Sequence, residues 1–511
     1  MLSAAPAPPS LASPVGAERP VRFVAFLWTS GLLAVLTCVR LVLEALTRKR
    51  LLLDHPSGAW ATLADDLLHG TFYRPIESAL GWGGTRYPPL YPLLYAGVAR
   101  VVGSLPAAAA LLELLFLAVL VWATYVFLER NGVRRMLALP GALAVLALVP
   151  VQVLLGLGKA DLLASALCFS GLAIASGRDG RRRDATVALV FSLAVLAKWT
   201  VIGGLLAWLT HAWIQGRRRL LLERAAMVGG IVGAGVLVAD LASGGQMLLQ
   251  LRAFATGGGH IGDLLSAPVN FLLRTDPADL TLLVLVLGAF AASPRGSWRS
   301  LPLLAFFWTG VCLLATWASP GVAENHLLEL MVLALVVFLV LLERGALPLR
   351  FAATVLPVYL VFAATRSAPE TVEGLLTPAP ARLLATTGTP AEGPLLAENP
   401  WVPLLAGQRP VLADPFTFRI LAERRPELMQ HLTADLAAQR FRAVVLRWPA
   451  EDVEGRLWYR WVHFGPGFLD ALERTYVKKA SFRTGPRPYW THDVWRPLRL
   501  EPLQPPAPGG R

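Results

Sequence analysis

The sequence predicts a polytopic α-helical membrane protein of about 11 transmembrane helices, followed by a small C-terminal α/β domain. Two features of its composition support this prediction. Only 16% of the 511 residues are charged, whereas soluble domains carry about 25%. Apolar residues make up 55% and are collected into long runs that arginine clusters separate, as is typical of membrane-spanning helices and their loops. This pattern excludes a disordered chain and argues against one large soluble enzyme.

The basic residues follow the same membrane pattern. The formal net charge is +13, from 47 Lys and Arg against 34 Asp and Glu. A basic chain can bind nucleic acid, but here the basic residues are mostly short Arg clusters beside apolar segments. We therefore expect a lipid bilayer as a partner and no nucleic acid. The three cysteines lie far apart in apolar runs, which indicates neither a disulfide framework nor a zinc site.

The predicted transmembrane domain covers residues 21–365. Residues 1–20, rich in Ala, Pro and Ser, are predicted to be a disordered cytoplasmic tail. The first span, 21–46, has no small-residue cleavage signal after it, so we interpret it as a retained helix. Further apolar segments lie at 107–128, 136–155, 161–177, 185–198, 199–215, 225–242, 278–293, 301–318, 327–342 and 349–365.

Arginine is distributed asymmetrically between alternate loops. The predicted cytoplasmic loops contain Arg130, Arg134, Arg135, Arg178, Arg181–Arg183, Arg217–Arg219, Arg224, Arg295, Arg299, Arg344 and Arg350. The alternate short loops contain Lys159, Lys198 and, in Ala318–Asn325, no basic residue. By the positive-inside rule, the N-terminus is cytoplasmic and the chain after Arg366 is external, which is the periplasm for a bacterial inner-membrane protein.

A large external loop, 47–105, follows the first span. Its segment Tyr87–Val102 is apolar, but Pro88, Pro89 and Pro92 disfavour a straight spanning helix. Counting this segment as a span would also move every later Arg cluster to the outside. We therefore predict an interfacial or re-entrant helix.

The same loop contains a predicted amphipathic helix that ends at Gly70. One helical face carries Trp60, Leu63, Leu67 and Leu68, and the other carries Thr62, Asp65, Asp66 and His69. We expect the apolar face to lie in the membrane plane and the polar face, including Asp65 and Asp66, to be exposed to solvent.

The order of motifs resembles a known group of enzymes. The external loop contains D-x(5)-W-x(3)-A-x(2)-L-x(2)-G-x(2)-Y from Asp54, then R-Y-P-P-L-Y-P-L-L from Arg86. Later segments contain G-L-G-K-A-D at 156–161, L-A-K at 196–198 and E-N-H-L-L at 324–328. Over residues 20–365 this arrangement resembles the membrane-embedded GT-C glycosyltransferases, which include protein O-mannosyltransferases and the lipid A aminoarabinose transferase.

The resemblance implies a polyprenyl-phosphate-linked sugar donor and an external acceptor, which would be a glycolipid, a polysaccharide or a protein. It also implies that Asp54 acts as a base or positions the acceptor. A carboxylate within hydrogen-bond reach can take the proton of an attacking hydroxyl, and a phosphate leaving group needs Arg or Lys beside it. Many relatives carry two adjacent acids where this chain has Asp54 and His55. We therefore expect no metal or other cofactor, although the sequence alone leaves a divalent ion open.

Other polar residues of the predicted external segments are further candidates. Predicted acceptor or cavity residues are Asp161, His55, Glu324 and His326, and predicted ligands of the donor phosphate are Lys198, Arg74, Arg86 and Lys159. The resemblance implies that Asp161 faces the same cavity as Asp54. Two alternatives stay open: Lys159 and Lys198 can snorkel to the membrane surface, and Asn325 can cap a helix.

The chain changes character after the last apolar segment. A linker, 366–395, precedes a predicted external α/β domain, 396–511. The predicted order is a strand at Pro410–Asp414, helices at Pro415–Arg425 and Pro426–Gln439, and a strand at Phe441–Trp448, with the two strands parallel. The domain shows no nucleophile–base constellation, so we expect it to contribute acceptor recognition or stability.

Two other functions are compatible with a polytopic chain. A transporter or flippase for lipid-linked sugars would more typically show internal repeats and charges at the membrane midplane, and we find no clear repeat. A non-catalytic membrane assembly protein would not require the carboxylate and aromatic residues of loop 47–105.

Overall fold

The structure is a computed structural model of the chain. It describes residues 55–155, 157–178, 180–254, 262–291, 297–319, 322, 324–345, 356–360, 381–483 and 491–498, and part of 24–39. The residues described within 24–39 are helical, in agreement with the predicted first span. Asp54 and the basic residues 48–50 lie outside the described residues.

Helices form most of the described chain before residue 345. They are α1 (His55–Leu68), α2 (Leu90–Val102), α3 (Leu105–Arg130), α4 (Arg135–Ala144), α5 (Val149–Leu154), α6 (Asp161–Ala175), α7 (Arg181–Ala197), α8 (Gly203–Ile214), α9 (Arg218–Ala242), α10 (Gln246–Phe254), α11 (Asp263–Arg274), α12 (Pro277–Ala291), α13 (Leu301–Thr316) and α14 (Leu328–Glu343). The predicted apolar segments fall on helices because a backbone in lipid must satisfy its hydrogen bonds internally. Helices α10 and α11 lie where the sequence predicts only an external loop.

Three helical segments among the described residues are long and apolar enough to span a bilayer: Leu105–Arg130, Arg218–Ala242 and Glu324–Glu343. In the most apolar window of Glu324–Glu343, 89% of residues are buried, against 11% in Arg218–Ala242. The former is therefore the central helix of the bundle, and the latter presents most of its apolar surface outward. The number of spans, about 11 by the length rule, stays a prediction.

Small residues allow the helices to approach closely. A methyl group at Gly203 of α8 would lie 2.2 Å from the Thr309 hydroxyl oxygen of α13, and one at Gly171 of α6 would lie 2.8 Å from the Phe191 ring of α7. Such contacts are the usual means of helix association in lipid, where the hydrophobic effect does not drive helices together.

The described part of the predicted external loop begins with α1. A two-residue hairpin, β1 (Glu77–Ser78) with β2 (Gly81–Trp82), separates α1 from α2. Helix α2 ends at Gly103, whose φ of 72° is left-handed. It confirms a helix in the proline-rich segment, and its 13 residues are too few to cross a bilayer alone.

One prediction about α1 is wrong. Asp65 and Asp66 are buried, with 8% and 1% of their surface exposed, rather than facing solvent. The reason is a long-range contact: Arg409 from the C-terminal part of the chain donates a hydrogen bond to Asp66 over 2.7 Å. Thr62, Asp65 and Asp66 of the polar face of α1 are therefore buried, while His69 of the same face is exposed.

The C-terminal part forms a mixed four-stranded sheet, with order β3 (Leu395–Ala397), β4 (Ala443–Leu446), β6 (Thr491–Pro497) and β5 (Tyr476–Arg483). Its helices are α15 (Ala381–Thr386), α16 (Trp401–Leu405), α17 (Pro415–Arg424), α18 (Pro426–Ala437), α19 (Val453–Trp461) and α20 (Phe468–Thr475). Strands β3 and β4 are parallel, and the pairs β4–β6 and β6–β5 are antiparallel.

The prediction of a strand at Pro410–Asp414 that pairs with Phe441–Trp448 is wrong. The parallel partner of β4 is Leu395–Ala397 instead. Leu412 lies outside this sheet and forms a single parallel bridge with Trp82 of the external loop. The folded unit also begins earlier than predicted, because Thr387, just after α15, accepts a hydrogen bond from Arg442 over 3.0 Å.

The bridge at Trp82 joins the C-terminal unit to the external loop through the backbone. Trp82 N donates to Val411 O over 2.7 Å, and Ala413 N donates to Trp82 O over 3.0 Å. Gly81 is required here, because its φ is 126° and a side chain would lie 2.2 Å from Val411 O. Backbone hydrogen bonds thus join the external loop directly to the C-terminal unit.

Candidate functional site

A polar pocket opens at one end of the helix bundle. Its polar lining includes Asp161, Ser165, Lys198, Thr309, Asn325, His326 and Glu329, with Leu313 and Leu328 beside them. Sequence analysis identified Asp161, Lys198 and His326, and the structure brings these three together. Polar groups surrounded by apolar helices are costly, so their grouping indicates a functional cavity.

The ends of three elements position the pocket's charged groups. Asp161 is the first residue of α6, and Lys198 directly follows α7. Asp161 Oδ1 accepts hydrogen bonds from Lys198 Nζ over 2.5 Å and from Asn325 Nδ2 over 2.7 Å. Asn325 belongs to the 3₁₀ turn Glu324–Leu327 that leads into the central helix α14. The Asp161 carboxylate therefore joins the start of α6 to the residue after α7 and to the 3₁₀ turn.

A second carboxylate lies one helical turn further along the same helices. Ser165 Oγ donates to Glu329 Oε1 over 3.3 Å, and both residues line the pocket. Sequence analysis missed both. The available signal was spacing, since Ser165 follows Asp161, and Glu329 follows Asn325, by one turn of four residues.

Two further cations lie near this pocket. Arg86 and Lys159 are within electrostatic reach of both His55 and His326. The Arg86 guanidinium stacks over the Phe416 ring at 4.7 Å, and its carbonyl accepts a hydrogen bond from Trp199 over 3.1 Å. Together with Lys198, these residues form a cation cluster, defined here as Arg86, Lys159 and Lys198.

A buried glutamate holds the loop that carries Lys159. Glu113 of α3 is buried, and its Oε1 accepts a hydrogen bond from Gly158 N over 2.6 Å. Gly158 has a φ of 62°, so a left-handed residue is needed where the loop turns toward Asp161. The sequence alone did not assign Glu113, because an isolated Glu in an apolar helix does not reveal its partner.

Arg74 does not lie in the cation cluster. Its Nε and Nη2 donate to the Asp66 carboxylate over 3.0 and 2.5 Å, and its Nη1 donates to Pro410 O over 2.6 Å. Only 3% of Arg74 is exposed. These contacts, with Arg409 on the same carboxylate, make Arg74 a link between the external loop and the C-terminal unit.

His55 and Glu324, the two remaining candidates, are not among the residues that line the pocket. Burial lowers the pKa of His55 well below its usual value, and the nearby His463, Arg447, Lys159 and Arg86 lower it further. Glu324 begins the turn that carries Asn325 and His326. Among the described residues, no group of three His, Cys, Asp or Glu side chains is arranged to hold a metal ion.

Comparison with solved structures places this arrangement in a known architecture. ArnT from Cupriavidus metallidurans, bound to undecaprenyl phosphate, matches 93% of this chain and 99% of its own, with a TM-score of 0.55 at 13% identity. The fold is that of the GT-C glycosyltransferases. A second GT-C enzyme, the apo oligosaccharyltransferase of Archaeoglobus fulgidus, matches 94% of this chain and 75% of its own, with a TM-score of 0.56 at 12% identity.

The GT-C fold confirms the resemblance inferred from the order of motifs. By sequence alone, no protein-family model and no curated protein matches the chain. The GT-C match extends through the C-terminal unit, since it covers 93% of the chain, whereas the sequence resemblance stops near residue 365. The solved GT-C structures are those of integral membrane proteins, in agreement with the long apolar helices found here.

Proposed function

We propose that this GT-C protein transfers a sugar, a hexose or a pentose, from a polyprenyl-phosphate donor to an external acceptor. The reaction would occur at the outer face of the bacterial inner membrane, with the N-terminus cytoplasmic and the C-terminal unit periplasmic. One observation carries the proposal: the cation cluster of Arg86, Lys159 and Lys198 gathers near Asp161 and His326 at the end of an apolar bundle. A lipid that carries a phosphate headgroup matches both features.

The cation cluster suits the donor phosphate. The Lys198 ammonium has three N–H donors, and Asp161 accepts one of them, so the others can bind phosphate oxygens. The Arg86 guanidinium lies over the Phe416 ring, and this contact lowers the entropy that it loses on binding. We place no phosphate at Arg74, because its guanidinium contacts Asp66 and Pro410. The ArnT complex with undecaprenyl phosphate, on the same fold, supports this class of donor.

Asp54 is the proposed catalytic carboxylate. The acceptor hydroxyl attacks the anomeric carbon and loses its proton to Asp54, while the bond between that carbon and the donor phosphate oxygen breaks. The lipid phosphate leaves with the bonding electron pair, and the cations stabilise its charge. Asp161, His326, Glu324 and His55 are proposed to contact the acceptor or the transferred sugar, and no metal is required in this scheme.

Purified protein in nanodiscs, incubated with a panel of radiolabelled polyprenyl-phosphate sugars and membrane extract, tests the proposal. We expect label to move from lipid to a second molecule with at least one donor. Lys198→Ala should lower this transfer. If the protein moves labelled donor across a vesicle bilayer with no transfer, it is a flippase and the proposal is wrong.

A further inference from the structure

The segment that carries Arg86 has no regular secondary structure. Residues 83–88 connect β2 to α2 without forming a helix or a strand, so their backbone groups have no partners in a helix or a sheet. Pro88 also disfavours a helical conformation of Tyr87. Backbone groups that are taken out of water still require hydrogen-bond partners. The position of Arg86, a proposed ligand of the donor phosphate, therefore depends on side chains from other parts of the chain.

Two aromatic side chains hold consecutive carbonyls of this segment. Trp199 Nε1 donates to Arg86 O over 3.1 Å, and Tyr73 OH donates to Tyr87 O over 2.8 Å. Burial raises the pKa of Tyr73 above its usual value, so the hydroxyl keeps its proton and remains a donor. We name Tyr73 and Trp199 the aromatic clamp.

The amide groups of the same segment are held as well. Tyr87 N donates to Thr85 Oγ1 over 3.1 Å, and Thr85 N donates to Gln250 Oε1 over 2.9 Å. Gln250 of α10 has no exposed surface, and its Nε2 donates to Arg74 O over 2.8 Å. The backbone around Arg86 is thus fixed by hydrogen bonds before any ligand binds.

The aromatic clamp is itself packed in place. Tyr73, Ala239 of α9 and Met247 of α10 form a small buried apolar cluster, and Trp199 packs against it. Tyr73 has a φ of 53°, which is uncommon for a bulky side chain. Such a conformation costs energy and persists only where the surroundings impose it, often near functional sites. The packing and the hydrogen bond to Tyr87 provide those surroundings here.

The clamp also links two cations of the cation cluster. Trp199 directly follows Lys198 in sequence, so two consecutive residues supply one cation and hold the backbone of another. The guanidinium of Arg86 lies over the Phe416 ring at 4.7 Å, so contacts restrain both ends of this side chain. The distance between the charges of Arg86 and Lys198 therefore depends on the hydrogen bond from Trp199.

We propose that the aromatic clamp positions Arg86 relative to Lys198 and thereby sets the affinity of the protein for the phosphate headgroup of its lipid donor. This role rests on the function proposed above. Tyr73 and Trp199 are positioning residues, because they contact the backbone at residues 86 and 87 and act through the Arg86 side chain. A cation that is fixed in advance loses less entropy when it binds phosphate.

Binding of undecaprenyl phosphate and of undecaprenol to the full-length protein, in nanodiscs of zwitterionic lipid, tests the clamp. Tyr73→Phe and Trp199→Phe each remove one hydrogen-bond donor and keep an aromatic ring. Each should raise the Kd of undecaprenyl phosphate by about 3- to 10-fold, the range for one lost hydrogen bond. The Kd of undecaprenol, which has the same tail without the phosphate, should stay at the wild-type value.

A double-variant cycle tests whether the clamp acts through Arg86. In an Arg86→Ala background, neither Phe substitution should raise the Kd of undecaprenyl phosphate further. Two matched controls should keep the wild-type Kd. Tyr476→Phe removes a hydroxyl that donates to Phe441 O over 3.0 Å, and Trp401→Phe removes an N–H that donates to Ser57 Oγ over 2.9 Å.

Three binding results would overturn the clamp. The first is a wild-type Kd for undecaprenyl phosphate in both Phe variants. The second is an equal rise in the Kd of undecaprenol, which indicates general damage to the fold. The third is a full additional rise in the Arg86→Ala background, which indicates an effect that does not pass through Arg86.

A measurement without lipid separates failure of the clamp from failure of the proposed function. Phenylglyoxal modifies guanidinium groups, and peptide mass spectrometry gives its rate of reaction with Arg86. The rate should be several-fold higher in Tyr73→Phe and Trp199→Phe than in wild type and Tyr476→Phe. An unchanged rate would disprove the clamp, whether or not the protein binds a lipid phosphate. A higher rate in a protein that binds no undecaprenyl phosphate would instead contradict the proposed function.

Discussion

Lys198 Nζ lies 2.5 Å from Asp161 Oδ1, so one ion pair joins the end of α7 to the start of α6 beside the pocket. The pair also explains why a lysine is stable at the edge of an apolar bundle, because its charge is compensated there. The sequence left snorkelling open as the role of Lys198. Because its partner Asp161 lines the pocket, the contact favours a role of Lys198 in donor binding over snorkelling to the lipid surface.

Lys198→Ala should weaken donor use more than Lys198→Arg, which keeps the charge. Removal of one charge-assisted phosphate contact should cost about 1.5–3 kcal/mol, measured as kcat/KM at limiting donor. The double variant Lys198→Ala with Asp161→Asn controls for the carboxylate that the single variant leaves uncompensated. Wild-type kcat/KM in Lys198→Ala would show that Lys198 does not bind the donor.

Asp54→Asn keeps the side-chain shape but removes its charge and basicity. Transfer should fall by about 10²–10⁴-fold, the range of general-base catalysis, while donor binding stays near wild type. Glu77→Gln is a suitable control, because Glu77 is an exposed external carboxylate that contacts His431 over 2.6 Å. Transfer at the wild-type rate by correctly inserted Asp54→Asn protein would exclude Asp54 and direct attention to Asp161.

The buried ion pair between Asp66 and Arg74 should stabilise the contact between external loop and C-terminal unit. Among the described residues, Arg74→Ala leaves Asp66 with Arg409 alone as an oppositely charged partner, and it should destabilise the protein by up to about 3–5 kcal/mol. Thermal unfolding measures the loss. Arg425→Ala is the matched control: it breaks the exposed pair with Glu427 and should change stability by at most about 1 kcal/mol. Equal effects of the two substitutions would contradict this role.

His492 should make the C-terminal unit sensitive to acid. Burial, with Arg447 nearby, lowers its pKa to about 3 in the folded protein, whereas the pKa of an unfolded histidine is about 6.5. The unfolded state therefore binds more protons between these values, and stability falls as pH decreases from about 6.5 to about 3. Denaturant unfolding at pH 7 and pH 5 should show a smaller difference for His492→Gln than for wild type. An unchanged difference would contradict the assignment.

Reporter fusions test the orientation predicted from arginine asymmetry. A periplasm-dependent reporter fused after Arg366 should be active, and the same reporter within Arg217–Arg224 should be inactive. The reverse result would invert the loops and place the candidate site in the cytoplasm. A cytoplasm-dependent reporter at both positions provides the complementary control.

Hydropathy predicted the helices well because apolar length is a local property. The predicted segment 107–128 corresponds to the helix Leu105–Arg130. The proline-rich segment after Tyr87 forms the short helix α2, in agreement with the interruption that Pro88 and Pro89 indicated. In the C-terminal unit, Pro415 and Pro426 marked the starts of two helices. Prolines at the first helical position carry this signal in the sequence itself.

Polar partnerships were less predictable because their members lie far apart in the chain. Asp66 looked like a solvent-exposed residue of an amphipathic helix, and its partner Arg409 is 343 positions away. Glu398 and His463 are separated by 65 positions and belong to no recognisable motif. Strand Pro410–Asp414 was misassigned for the same reason, since Leu412 pairs with the distant Trp82 rather than with β4.

The backbone bridge between Trp82 and Leu412 sets an order of events during biogenesis. The ribosome makes the external loop early, but the segment that pairs with it emerges more than 300 residues later. Until that segment is translocated, Trp82 lacks its backbone hydrogen bonds with Val411 and Ala413. A nascent chain halted before residue 410 should therefore be inserted yet inactive, and membrane quality-control proteases should recognise its uncovered loop.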